Sequence, residues 1–200
     1  MLRNSLLALS IASLSTISPL LAEEKTKGTY FVGSIGAGAM NDIVFSAALG
    51  GGTATFDPGF SGEVGIGYDF GSIRTDVTYN STTTPLAGTT GVDVQVNSFL
   101  VSAAYDWRAD KKWQPYVALG IGSSTVDVSA AATVGAAAFT VGDENIATAK
   151  FRLGLNYEAS ENMDMYAETW GQSFDDFTIG ALEFRDITTS GVSLGIRVKL

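Results

Sequence analysis

Val192-Ser193-Leu194-Gly195-Ile196-Arg197-Val198-Lys199-Leu200 alternates apolar and polar residues without a miss. Side chains on a strand point to opposite faces with a period of two, so one face is wholly aliphatic and the other carries Ser193, Gly195, Arg197 and Lys199. A soluble half-buried strand would turn those charges outward. The rest of the chain decides which face meets oil.

Segments of this kind recur, and the pattern predicts eight strands: Thr29 to Met40, Phe60 to Phe70, Ser72 to Asn80, Ser98 to Trp107, Trp113 to Ser123, Lys150 to Glu158, Met163 to Gly171, and the terminal segment. In the seventh, Trp170 shares a face with Asp164 and Glu168. Upstream of the fourth, Val92, Val94 and Val96 fall in the opposite phase, which predicts a bulge near Asn97 or an extramembrane extension. Connections alternate in length. Short joins fall at Gly71, Arg108 to Lys112 and Ser160 to Asn162, and long ones at Asn41 to Gly59, Ser81 to Asn97, Ser124 to Ala149 and Gln172 to Thr189. That is the habit of an all-β, antiparallel, eight-stranded up-and-down transmembrane barrel with short periplasmic turns and longer extracellular loops.

The polar face supports a lumen. It gathers Glu63, Asp69, Arg74, Asp76, Asp106, Lys150, Arg152, Glu158, Asp164, Glu168, Arg197 and Lys199, so both signs share one face and can neutralise one another. A tight turn at Phe70-Gly71 would set Gly67 opposite Arg74 and Gly65 opposite Asp76, and a turn at Ser160 to Asn162 would set Gly154 against Glu168 and Arg152 against Trp170. Glycine weakens an open strand, so glycines facing large side chains point to a narrow interior. Tyr68, Phe70, Tyr105, Trp107, Trp113 and Tyr157 cluster at the short turns, and Phe60, Tyr79, Phe99 and Phe151 toward the other edge, as two interfacial girdles would. A soluble lipocalin-like barrel, with its apolar face inward, is the alternative at the level of fold.

Met1 to Ala22 has the form of a secretory signal peptide, with Arg3 before an apolar core and Ala22 at the cut; a membrane anchor is the alternative. Residues 23–200 then form one barrel domain. The chain has no cysteine, so its stability comes from a core, a closed sheet or the membrane. A formal charge of −9 with scattered basic residues excludes nucleic acid as a partner.

These stretches resemble the small eight-stranded outer-membrane β-barrel family: the OmpA transmembrane domain, OmpX-like and opacity-type porin-family proteins. The matching segments are Tyr30 to Gly33, Gly65 to Phe70, Ile73 to Tyr79, Trp113 to Gly122 and Ser190 to Leu200. The resemblance implies an outer-membrane location in a Gram-negative cell envelope, contact with lipid and lipopolysaccharide, and a monomer. It also implies recognition of the terminal strand by the barrel assembly machinery, here through Val192, Leu194, Ile196, Val198 and Leu200, although the family usually ends on an aromatic residue.

The chain has no histidine, which removes the usual general base, the commonest metal ligand and the serine–histidine–aspartate arrangement; no enzyme activity, cofactor or metal is expected. The glycines of Gly33 to Gly38 and Gly65 to Gly67 lie inside strands with no helix pattern after them, so they form no dinucleotide loop. Loop carboxylates Asp42, Asp57, Asp143, Glu144, Asp175 and Asp176 match no calcium-loop spacing and are read as solvated charge. The expected role is structural or surface-interacting, adhesin-like, around an interior filled by Glu63, Arg74, Asp76, Lys150, Arg152, Glu158, Glu168 and Arg197. A porin-like channel for small solutes or ions is the alternative.

Overall fold

The computed structural model describes residues 27–45, 52–107, 109–130, 145–179, 182–184 and 186–200; the expected leader, Met1 to Ala22, lies outside them. In chain order the strands are β1 (Gly28–Met40), β2 (Ile43–Phe45), β3 (Gly52–Ala54), β4 (Gly59–Asp69), β5 (Ile73–Pro85), β6 (Val92–Asp106), β7 (Trp113–Ala130), β8 (Ile146–Ser160), β9 (Met163–Phe174), β10 (Phe177–Ile179), β11 (Leu182–Phe184) and β12 (Thr188–Lys199). Eight of them close a barrel in the order β1-β12-β9-β8-β7-β6-β5-β4, while β2–β3 and β10–β11 are small hairpins in the loops. Each hairpin strand has three residues, too few for an alternation to be read from sequence. Closure satisfies every barrel edge, a requirement for a sheet immersed in oil.

All eight expected barrel strands are present, but three of the four long loops are shorter than the sequence implies, because the strands run on. β5 continues to Pro85 and β6 starts at Val92, leaving only Leu86 to Gly91 between them. The pairing of β6 runs unbroken from Asp93 to Tyr105 with β5 and from Val92 to Asp106 with β7, so Asn97 carries no bulge and the change of phase marks an extension. The bulge of this barrel lies instead between Glu158 and Ser160, where β8 turns into β9.

One register differs from expectation. Asp69 pairs with Arg74, Gly67 with Asp76 and Gly65 with Thr78, a shift of two residues. The turn is longer than Phe70-Gly71: the Phe70 amide donates to the Ile73 carbonyl at 2.8 Å, and the Gly71 amide donates to Asp69 Oδ1 at 2.8 Å. Gly71 has φ +108°, a conformation that a side chain would strain. The second expected register holds, with Gly154 opposite Glu168 and Arg152 opposite Trp170.

Candidate functional site

The lumen is built from the residues that alternate inward, and they change character from one end to the other, as β5 and β6 show. On β5 they run Arg74, Asp76, Thr78, Asn80, Thr82, Thr84 from the short-turn end upward, all buried. On β6 they run Asp106, Ala104, Ser102, Leu100, Ser98, then Val96 and Val94. Charge lies low, hydroxyl and amide groups lie in the middle, and aliphatic groups close the top.

The charged layer is tied across the lumen. Lys150 Nζ on β8 donates to Glu63 Oε2 on β4 at 2.9 Å, while Arg152 reaches Glu63 Oε1 at 3.2 Å and Asp76 Oδ1 on β5 at 3.0 Å. Arg74 grips Asp106 with two bonds, 2.6 Å from Nε and 2.8 Å from Nη2. Asn156 donates to the same carboxylate at 3.1 Å and accepts from Arg197, whose guanidinium stacks 4.1 Å from the Tyr166 ring centre. A buried cation without a partner is costly, and these partners come from strands far apart in the chain. Above them Gln172 Nε2 is shared among Ser98, Ser124 and Thr148 hydroxyls at 2.8, 3.3 and 3.0 Å.

Four aromatic rings complete the filling, each lying over the glycine of the next strand. Tyr30 covers Gly67 and its hydroxyl donates to Asp76 Oδ2 at 3.2 Å. Tyr116 covers Gly154 and donates to Glu168. Tyr166 covers Gly195, and Trp170 covers Gly191 while its Nε1 donates to Ser193 Oγ at 3.0 Å. A Cβ at Gly67 would stand 2.4 Å from Tyr30 Cζ, so the glycine is required by close approach. The sequence argument had charges filling the glycine gaps; the structure puts rings there, with the polar partner of each in Tyr30 and Tyr116 one strand further on.

Of the eight residues expected inside, Glu63, Arg74, Asp76, Lys150, Arg152, Glu168 and Arg197 are buried. Glu158 is the exception: it is only half-buried, because the bulge before Ser160 places it at the mouth of the barrel. Sequence reasoning missed Tyr30, Tyr116, Tyr166, Asn156 and Gln172 as members. For Asn156, Tyr166 and Gln172 the signal is parity, since each falls in step with charged residues of its own strand; Tyr30 and Tyr116 lie on strands with no inward charge, and nothing in β1 or β7 alone marks them.

The long-loop end carries a different core. Met40, Val94, Val96, Val126, Ile146, Phe174 and Ile187 are buried together, with Ile43, Phe56 and Val128 packed against them. Asn41 binds the first loop to the fourth, its Nδ2 donating to the Asp186 carbonyl at 3.2 Å and its Oδ1 accepting from the Thr188 amide at 2.7 Å. The first and second loops are joined by Asp57 N to Pro85 O and Ala87 N to Thr55 O, both 2.9 Å. Among the described residues no group of three acidic side chains is placed to hold a metal ion.

Outside, the terminal-strand residues are exposed, Leu194 at 67% and Leu200 at 73%. Tyr68 and Phe70, Tyr105 and Trp107, and Trp113 and Tyr157 form ring pairs 4.6, 5.5 and 4.7 Å apart around the short-turn rim. An apolar wall around a polar filling is the reverse of a soluble barrel, so the lipocalin-like alternative falls.

The fold is shared with solved outer-membrane proteins. Neisserial surface protein A matches with a TM-score of 0.62 at 19% identity, over 86% of this chain and 99% of that one. OprG from Pseudomonas aeruginosa matches with 0.59 at 14% identity, over 86% and 96%. Ail of Yersinia pestis, solved with the heparin analogue sucrose octasulfate, matches with 0.50 at 13% identity, over 86% and 99%. No curated protein matches the sequence. The family model described as "Opacity family porin protein" matches residues 66–200. This chain belongs to the opacity family of outer-membrane β-barrel proteins.

Proposed function

We propose that the protein is a non-conducting barrel that holds its extracellular loops as a surface for interaction. The observation that carries this reading is the cross-lumen tie of Lys150 and Arg152 on β8 to Glu63 and Asp76 on β4 and β5, beneath an apolar plug. Eight strands enclose a lumen that side chains fill, and here the filling is bonded from wall to wall. A conducting state would require both breaking those pairs and moving Val94, Val96, Val126 and Phe174. With the lumen closed, the loops are the parts free to act. Their bases are joined to one another, so the surface is pre-ordered, which lowers the entropy cost of binding.

In this reading the chain is exported by cleavage after Ala22, folds as a monomer in outer-membrane lipid and lipopolysaccharide, and is recognised during assembly through Val192, Leu194, Ile196, Val198 and Leu200. No catalytic step is assigned to it. The family's description as a porin favours a channel as the second reading. Single-channel recording of refolded residues 23–200 in a planar bilayer separates the two. Folded protein, shown by heat-modifiable gel mobility, without conductance steps supports the surface role. Stable, reproducible steps would make it a small porin.

A further inference from the structure

The outward faces of β5, β6 and β7 form a grid whose rungs are fixed by pairing. From the short-turn end the rungs are Ile73-Tyr105-Val117, Thr75-Ala103-Leu119, Val77-Val101-Ile121 and Tyr79-Phe99-Ser123. The next two are Ser81-Asn97-Thr125 and Thr83-Gln95-Asp127. Within one rung the wall changes from aromatic and aliphatic to hydroxyl and amide. Such a boundary on a barrel wall marks where hydrocarbon ends and headgroups begin.

The polar rungs are ordered before anything binds. Gln95 Nε2 donates to Ser81 Oγ at 3.0 Å and to Asn97 Oδ1 at 3.1 Å, and Asn97 Nδ2 donates to Asp127 Oδ2 at 3.2 Å. This chain of amides crosses three strands, and its members are half-buried against one another. No lysine or arginine occurs from Thr75 to Trp107 or from Trp113 to Ala149, and Arg74 points into the lumen, so the outward face of these strands has no cation to clamp a phosphate. What remains is a flat array of paired donors and acceptors with single carboxylates at Asp93 and Asp127, the chemistry that matches sugar hydroxyls.

We propose that these rungs bind the saccharide headgroup of an outer-leaflet glycolipid, whose acyl chains lie on the apolar rungs at Val77, Tyr79, Phe99 and Val101 below. The assignment rests on the reading of the long loops as extracellular. It deepens the expected contact with lipopolysaccharide by placing it on neutral sugar rather than on phosphate. Because the amides are already held in place, little freedom is lost when sugar hydroxyls bond to them.

The probe is a phosphatidylcholine vesicle containing equal amounts of neutral diglucosyl diacylglycerol and anionic phosphatidylglycerol. The full mature chain is refolded into it and taken into detergent, and the retained lipids are identified by native mass spectrometry. The expected result is about tenfold enrichment of the glucolipid over both phospholipids, the ratio that one or two net hydrogen bonds supply, insensitive to salt. Q95L/N97L should abolish the enrichment while heat-modifiable mobility is unchanged; Q95S/N97S, which keeps the wall polar, gives the same reading if the leucine variant does not fold. Equal retention of all three lipids, enrichment of phosphatidylglycerol, or full enrichment in the serine variant would each overturn the proposal. None of these results bears on conductance, so failure here and failure of the closed-lumen reading are told apart.

Discussion

The lower and upper parts of one strand, β6, obey opposite rules. From Phe99 to Asp106 the outward residues are apolar or aromatic and the inward ones are Leu100, Ser102, Ala104 and Asp106, so every polar group of that stretch lies inside; from Asp93 to Asn97 the outward residues are Asp93, Gln95 and Asn97 and the inward ones are Val94 and Val96. Backbone geometry does not change between them, since the pairing is continuous. Only the solvent changes. Side chains partition toward whatever surrounds the wall: in oil the polar groups must go inside and pair, and in water the apolar groups go inside and pack. The molecule is a membrane barrel with a short water-facing barrel on top of it, and the second seals the first.

The largest expected break in this comparison is in the lower part. Arg152→Met removes the cation shared by Glu63 and Asp76 and leaves buried carboxylates short of charge; unfolding by urea in lipid vesicles should show a loss of about 4 kcal/mol. Truncation in the upper part should cost somewhat less. Phe174→Ala opens the aliphatic plug and is expected to lower stability by about 3 kcal/mol in the same assay, without producing conductance, because the ion pairs below stay closed.

A third test sets the two solvents against each other on one strand. Val101→Arg puts a charge into hydrocarbon and should cost about 2–3 kcal/mol, whereas Asn97→Arg, four residues away on the same face, should change stability by less than about 1 kcal/mol. Equal costs at the two positions would remove the boundary at the Tyr79–Phe99 rung. Among the lumen variants the smallest expected loss belongs to the glycine floor. Gly67→Ala puts a Cβ 2.4 Å from both Tyr30 Cζ and the Thr75 carbonyl oxygen and should lose about 1–2 kcal/mol, little of which Tyr30→Phe recovers, because Cζ and the carbonyl stay in place.

The alternation of Val192 to Leu200 and of its relatives along the chain was enough to place all eight barrel strands, the direction of both faces and seven of the eight interior charges. Two things were hidden. The turn between β4 and β5 could not be sized from Phe70-Gly71 alone, because its closure depends on the Asp69 carboxylate bonding to Gly71, and the register moved by two residues with it. The upper barrel is only half legible: the opposite phase of Val92, Val94 and Val96 predicts an extension as readily as a bulge, and nothing in Thr82 or Thr84 alone marks β5 as running on to meet it. The rings over Gly67, Gly154, Gly191 and Gly195 depend on which strands are neighbours, which alternation within a strand does not specify.

The most direct test uses the absence of cysteine. Single cysteines placed at each position from Asp93 to Tyr105 and spin-labelled can be scanned for collision with oxygen, which concentrates in hydrocarbon, and with a water-soluble nickel chelate. Labels at Phe99, Val101, Ala103 and Tyr105 should report oxygen, those at Asp93, Gln95 and Asn97 should report the chelate, and those at Val94 and Val96 should be shielded from both. Oxygen access that continues through Asn97 and Gln95, or chelate access at Val94 and Val96, would contradict the inversion of the wall and the sealed upper barrel together.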